Sequence, residues 1–109
     1  MVIQVKNFTY RRPRHRTDIP VLVRLTPVYS IPGRGTDVSA EGIGVRLDEP
    51  PPPDSVVVLE FVFKGRIFHT PARLQYRGES NYYGFMFQFS SELERDSLQE
   101  LLGAIHRIK

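Results

Sequence analysis

Apolar and polar positions alternate with two different periods, and the change between them divides the chain. From Val21 to Phe89 the spacing is that of strands. Val21-Leu22-Val23-Arg24-Leu25 is a short β-branched run with room to continue toward Tyr29, and Pro32-Gly33-Arg34-Gly35 reads as a turn. Gly42–Leu47 forms a second strand with Ile43, Val45 and Leu47 on one face. Pro50–Pro53 lacks ladder donors and predicts an extended loop. Val56–Phe63 and Ile67–Arg77 flank Lys64-Gly65, the separation expected of a two-residue hairpin. Phe68, Thr70, Ala72, Leu74 and Tyr76 alternate onto one face, with Pro71 marking an edge or a bulge. After a turn at Gly78–Asn81, Tyr83, Phe85, Phe87 and Phe89 alternate strictly.

Beyond Phe89 the period becomes helical. Ser91-Glu92-Leu93-Glu94 fits a capping box, and Leu98, Leu101, Leu102, Ile105 and Ile108 make a stripe at helical spacing. Early acids and late bases suit the helix dipole. Five or six short antiparallel strands and one terminal helix predict a mainly β fold, a small antiparallel β-barrel with one C-terminal α-helix laid across it. At 109 residues this is a single domain. It divides into an arginine-rich arm over 1–19, the barrel over 20–89 and the helix over 91–108.

Charge alters this picture. Residues 1–36 carry a net +6 and residues 37–109 a net −3, so the whole excess lies at the start, in Arg11-Arg12-Pro13-Arg14-His15-Arg16. Like charges so close repel and are costly to bury, which predicts an exposed, mobile segment unless an anion gathers it. Arginine at all four basic positions leans toward recognition, because guanidinium groups grip phosphates and base edges bidentately.

Catalytic chemistry finds no foothold. The chain has no cysteine, so disulfides, thiolate metal sites and a cysteine nucleophile are excluded. His15, His69 and His106 show no metal-ligand spacing, and Asp48-Glu49 simply leads into the proline loop. No P-loop, nucleotide-binding glycine fingerprint or serine-nucleophile elbow is present. The expectation is a protein that is not an enzyme and needs no metal or cofactor. The longest apolar run, Val56–Leu59, is far below the roughly 18 residues of a membrane span. Met1–Tyr10 has no secretory signal pattern. These features point to a cytoplasmic domain without membrane insertion.

Two local patterns remain. Arg12-x-x-x-Arg16 precedes the first barrel strand, and Asp37-x-Ser39-x-x-Gly42 leads into the second. Together, in this order, with the Tyr83-Gly84-Phe85-Met86-Phe87 strand and a final helix behind them, they resemble the PilZ domain, a bacterial receptor module for cyclic di-GMP. Its signatures are RxxxR followed by [D/N]xSxxG. The resemblance covers roughly residues 10–106 and implies a six-stranded split barrel.

The residue types suit such a ligand. The Hoogsteen edge of guanine offers O6 and N7 to a bidentate arginine. Its Watson–Crick edge offers N–H donors to a carboxylate such as Asp37. Arginine planes also stack on purines, each contact contributing about 1–3 kcal/mol. A basic arm with one acid is thus a guanine-and-phosphate reader, whereas arginines alone are a phosphate clamp. The resemblance implies that Arg12 and Arg16 contact guanine edges and phosphates, and that Asp37 and Ser39 hold the guanine and its phosphate. Gly42 permits close backbone approach or a positive φ. Arg11, before the motif, implies a further stacking plane for an intercalated ligand dimer. Ligand binding would then change the surface offered to a downstream protein or an attached effector domain.

Two alternatives stand beside this reading. Asp37 and Ser39 also fit a simple turn cap, through Asx and ST side-chain bonds. A small barrel binding single-stranded nucleic acid would use the arm and exposed Tyr29, Tyr82 or Tyr83 for stacking, although the net −3 of residues 37–109 argues against it. A PilZ-like adaptor without ligand binding is the other rival.

Overall fold

The structure, a computed structural model, describes residues 14–108, with side chains as far as Gly103. The strands are β1 (His15–Thr26), β2 (Tyr29–Val38), β3 (Gly42–Leu47), β4 (Val56–Phe63), β5 (Arg66–Arg77) and β6 (Tyr82–Phe87). Helix α1 (Glu92–Ile108) follows. Each strand pairs antiparallel with its neighbours in the order β1-β2-β3-β6-β5-β4, and β4 pairs back onto β1. Two three-stranded meanders therefore join along two seams into a closed six-stranded barrel. No helix among the described residues is long and apolar enough to cross a membrane.

A six-stranded barrel is narrow enough for side chains to fill it. Val23, Val38, Ile43, Val45, Leu59 and Ala72 are completely buried inside it. Toward one end the filling becomes aromatic. Phe61 and Phe68, register partners on β4 and β5, stack with centroids 5.1 Å apart, and Phe87 and Phe89 continue the cluster. Leu98 and Leu102 of α1 join the same core.

Several strands lie where the alternation placed them. β3 and β4 span the expected residues, and the β4–β5 reversal at Lys64-Gly65 has positive φ at both positions, 53° and 79°. That is the backbone of a type I′ hairpin, whose twist matches the flanking strands.

Four details differ from expectation, each for a local reason. Pro32–Gly35 is not a turn but the middle of β2, and the chain reverses instead at Pro27-Val28. Gly35 serves packing: a Cβ there would meet Val21, Ile19 and Ile43 at 3.0–3.3 Å. β1 begins at His15, so His15–Ile19, assigned to the arm, is paired strand. Pro71 sits in an unbroken β4–β5 register, at the point where β5 also begins to pair with β6. The irregularity in β5 falls instead between Leu74 and Tyr76, and it turns Tyr76 outward although Leu74 is buried.

The helix start is the fourth. Ser91 Oγ accepts a hydrogen bond from the Glu94 amide (3.3 Å), which is half of a capping box. The Glu94 carboxylate does not reciprocate. It accepts from Thr70 Oγ1 (2.9 Å) and from the His69 amide (3.3 Å), fastening α1 to the part of β5 that pairs only with β4. The open amide of a strand edge is thereby satisfied.

Because Leu98 is fully buried and Leu93 is 78% exposed, the two leucines separate core from surface in one helix. Leu98→Ala is expected to cost about 2–5 kcal/mol in urea unfolding, through lost burial and a residual cavity. Leu93→Ala should stay within about 0.5 kcal/mol of the parent.

Candidate functional site

The ladder between β1 and β2 sets Arg16 directly opposite Asp37. Opposed residues of an antiparallel pair project from the same face, with Cβ atoms about 4.5–5.5 Å apart. This face is the outside of the barrel. Two irregularities flank the pair, one in β1 between Arg16 and Ile19, the other where β2 meets β3 between Gly35 and Asp37. The second shifts the alternation of β2, so that Gly35 and Val38 are both buried while Asp37 faces outward.

Asp37 is the hub of the described part of the site. Arg14 Nε and Nη2 both lie 2.5 Å from Oδ1. Thr36 Oγ1 donates to Oδ2 at 2.8 Å, and the Tyr82 hydroxyl donates to the same oxygen at 3.0 Å. Tyr82 reaches there because Gly44, opposite Asp37 on β3, has no side chain; a Cβ would collide with the Tyr82 hydroxyl and crowd Asp37 Oδ2. Burial, followed by the charge of Asp37, raises the Tyr82 pKa above its ordinary 10.0, so the phenol holds its proton and remains a donor. Tyr76 packs edge-on against Tyr82, with centroids 6.1 Å apart.

Beyond Asp37 the chain turns tightly through Ser39, Ala40 and Glu41. Ser39 is buried, with its hydroxyl accepting from the Glu41 and Gly42 amides at 3.2 Å each. Gly42 is needed for close approach and not for a positive φ: a Cβ would overlap the Phe85 carbonyl of β6. The Phe87 amide donates to the Glu41 carbonyl at 2.8 Å, tying this turn to the end of β6. The turn-capping alternative therefore describes Ser39 in this structure, whereas the Asp37 carboxylate is engaged by the side chains of Arg14, Thr36 and Tyr82.

The arginines differ in their engagement. Arg34 is paired with Asp18 at 2.8 Å, a hydrogen bond that also holds the Asp18 carboxyl below its usual range. Arg46 donates to the Ser80 carbonyl at 2.6 Å. Arg16 is exposed and makes no ion pair among the described residues. Arg11 and Arg12 lie outside the described residues. Of the expected site residues, the structure thus brings Arg16, Asp37, Ser39 and Gly42 into one region at the β2–β3 turn and the facing end of β1.

Sequence reasoning left Arg14 without a role, gave Tyr82 only to stacking, and passed over Thr36 and Gly44. The period of two that puts Arg14 beside Arg16 was available in the sequence. The reach of Tyr82 to Asp37 depends on a cross-barrel register that no local pattern reveals. Of the three proposed stacking tyrosines, Tyr83 is only 5% exposed and Tyr82 is held by Asp37, which leaves Tyr29 at 42%.

Residues 10–104 match the sequence profile of the PilZ domain, and the chain belongs to this family. Solved structures agree in fold. The PilZ domain of CeSA from a cellulose-synthesizing bacterium superposes with a TM-score of 0.68 at 21% identity, over 86% of this chain and 98% of that one. YcgR from Escherichia coli, in complex with c-di-GMP, gives 0.74 at 21% identity over 89% of this chain, which spans 46% of the YcgR chain. The PilZ domain of the same YcgR with c-di-GMP gives 0.69 at 19% identity, covering 89% and 91%. No curated protein sequence matches significantly.

Tyr82→Phe removes one donor from Asp37 and is expected to cost about 1.5–3 kcal/mol, since the acceptor is charged. Because the folded-state pKa is raised, this contribution is fully present below pH 10.0 and is lost as pH rises through the folded value. Denaturation of both proteins at a series of alkaline pH values should show the difference shrinking only above pH 10.0. A difference that has already gone at neutral pH contradicts this hydrogen bond.

Proposed function

We propose that this PilZ domain is a receptor for cyclic di-GMP, acting by binding and not by catalysis. The observation that carries the reading is the opposition of Arg16 and Asp37 on one outward face, next to the turn built by Ser39 and Gly42. A cation and a carboxylate presented together suit guanine, which offers acceptors on one edge and donors on another. The c-di-GMP complexes of structurally similar PilZ domains support the same assignment.

In this mechanism the Asp37 carboxylate takes the N–H donors of a guanine. Arg12 and Arg16 contact the Hoogsteen edge and the phosphates, while Arg11 adds a stacking plane as the segment carrying it closes over the ligand. Ser39 and Gly42 act through the turn they shape, because the Ser39 hydroxyl is spent on backbone amides. On its other side this turn contributes Ala40 and Glu41 to a cleft of about 430 Å³ shared with Met86, Phe89, Arg95 and Gln99. Closure over the turn would thus alter a surface that includes α1, where a downstream protein or an attached domain reads the bound state. Ordering a segment on binding lowers affinity per unit of contact, so binding in the micromolar range is the expectation.

Isothermal titration tests the reading. The chain should bind cyclic di-GMP and not GTP or cyclic di-AMP. Arg12→Ala and Arg16→Ala should each weaken binding at least about tenfold, a loss equal to one hydrogen-bonded charge contact of about 1.5–3 kcal/mol, with the melting temperature nearly unchanged. Asp37→Ala should abolish binding and also lower stability modestly, since Thr36 and Tyr82 lose their acceptor. Full affinity in Arg12→Ala, or equal binding of cyclic di-AMP, refutes the assignment.

A further inference from the structure

We infer that Arg14 is an internal competitor for the guanine, occupying its place on Asp37 until the ligand arrives. This rests on the reading of Asp37 as the guanine acceptor. An ionised carboxylate offers about four lone-pair positions, two on each oxygen. In Asp37 both oxygens are engaged: Oδ1 by the Arg14 guanidinium, through an Nε hydrogen bond and a close Nη2 contact, and Oδ2 by Thr36 and Tyr82. A guanine cannot add to this set; it must replace a member of it.

The identity of the member that leaves follows from how each donor is held. Thr36 is a strand neighbour of Asp37 on β2, and Tyr82 is fixed in β6 against Tyr76. Arg14 lies just ahead of the first paired residue of β1, with a side chain 32% exposed. Its donors also copy those of the ligand. The N1–C2–N2 edge of guanine is itself a guanidine unit, so the arginine fork and the base edge present the same pair of N–H groups to the same oxygen. Exchange preserves the pairing of the buried side of Asp37 and returns Arg14 to solvent.

An internal competitor multiplies the apparent affinity by the fraction of time the site is free of it. For a partly exposed ion pair this amounts to roughly two- to fivefold. Arg14→Ala should therefore bind cyclic di-GMP about two- to fivefold more tightly than the parent. The titration is made at about 0.3 M salt, where the missing positive charge is screened beyond a few ångströms. In ligand-free protein the Arg14 Nε–H should give a protected NMR signal that loses protection on saturation with cyclic di-GMP. Affinity that is unchanged or weaker in Arg14→Ala, or an Nε–H that stays protected at saturation, overturns the inference while leaving the receptor reading intact. A parent chain that does not bind cyclic di-GMP overturns both.

Discussion

The whole arrangement depends on one carboxylate being held at a fixed height on the outside of a barrel. Asp37 faces outward only because the β2–β3 register slips between Gly35 and Asp37; without that slip its side chain would take the inward alternation of Gly35. An inward carboxylate among Val21, Ile43 and Val38 would carry a desolvation cost that no nearby cation repays. Once outward, it is steadied by Thr36 and Tyr82 on one oxygen, and the other oxygen meets the arginine-bearing end of β1. The outward carboxylate thus follows from a defect in a ladder combined with two residues that pin its product.

The separation of duties follows from the closed barrel. Stability resides in the inward rows, the aromatic end and the buried leucines of α1, which the outward face does not touch. The proposed recognition residues are mounted on strands whose inner sides are fully packed; Arg16 supports nothing else among the described residues, whereas Asp37 also anchors Thr36 and Tyr82. Ser39 and Gly42 are the exceptions. Both belong to the turn and the β3–β6 seam, where the Ser39 hydroxyl and the missing Gly42 side chain set the backbone shape.

Much of this was legible in the sequence. Period-two alternation located β3 and β4, the Lys64-Gly65 reversal followed from turn chemistry, and the spacing of Leu98 and Leu102 identified the buried side of α1. Arg16, Asp37, Ser39 and Gly42 were singled out through the family resemblance, and the fold brings these four into one region. What stayed hidden was set by register. The Pro32–Gly35 stretch carries turn residues for packing reasons, because its inward positions have no room for side chains. Tyr76 continues an inward alternation in the sequence yet faces out, since an irregular pairing intervenes. Glu94 has capping-box spacing but spends its carboxylate on β5, a partner 24 residues away. Arg14 and Tyr82 meet at Asp37 from positions 23 and 45 residues away in sequence, a convergence that only the three-dimensional pairing defines.

The most direct test of the central claim is a crystal structure of the chain with cyclic di-GMP, read at a single distance, from the Asp37 carboxylate to the nearest guanine nitrogen. Direct hydrogen bonding from guanine N1 or N2 to Asp37, with the Arg16 guanidinium on the same ligand, is the predicted result. A ligand bound elsewhere on the barrel, with Asp37 still holding Arg14 and no guanine within hydrogen-bonding reach, would contradict the account.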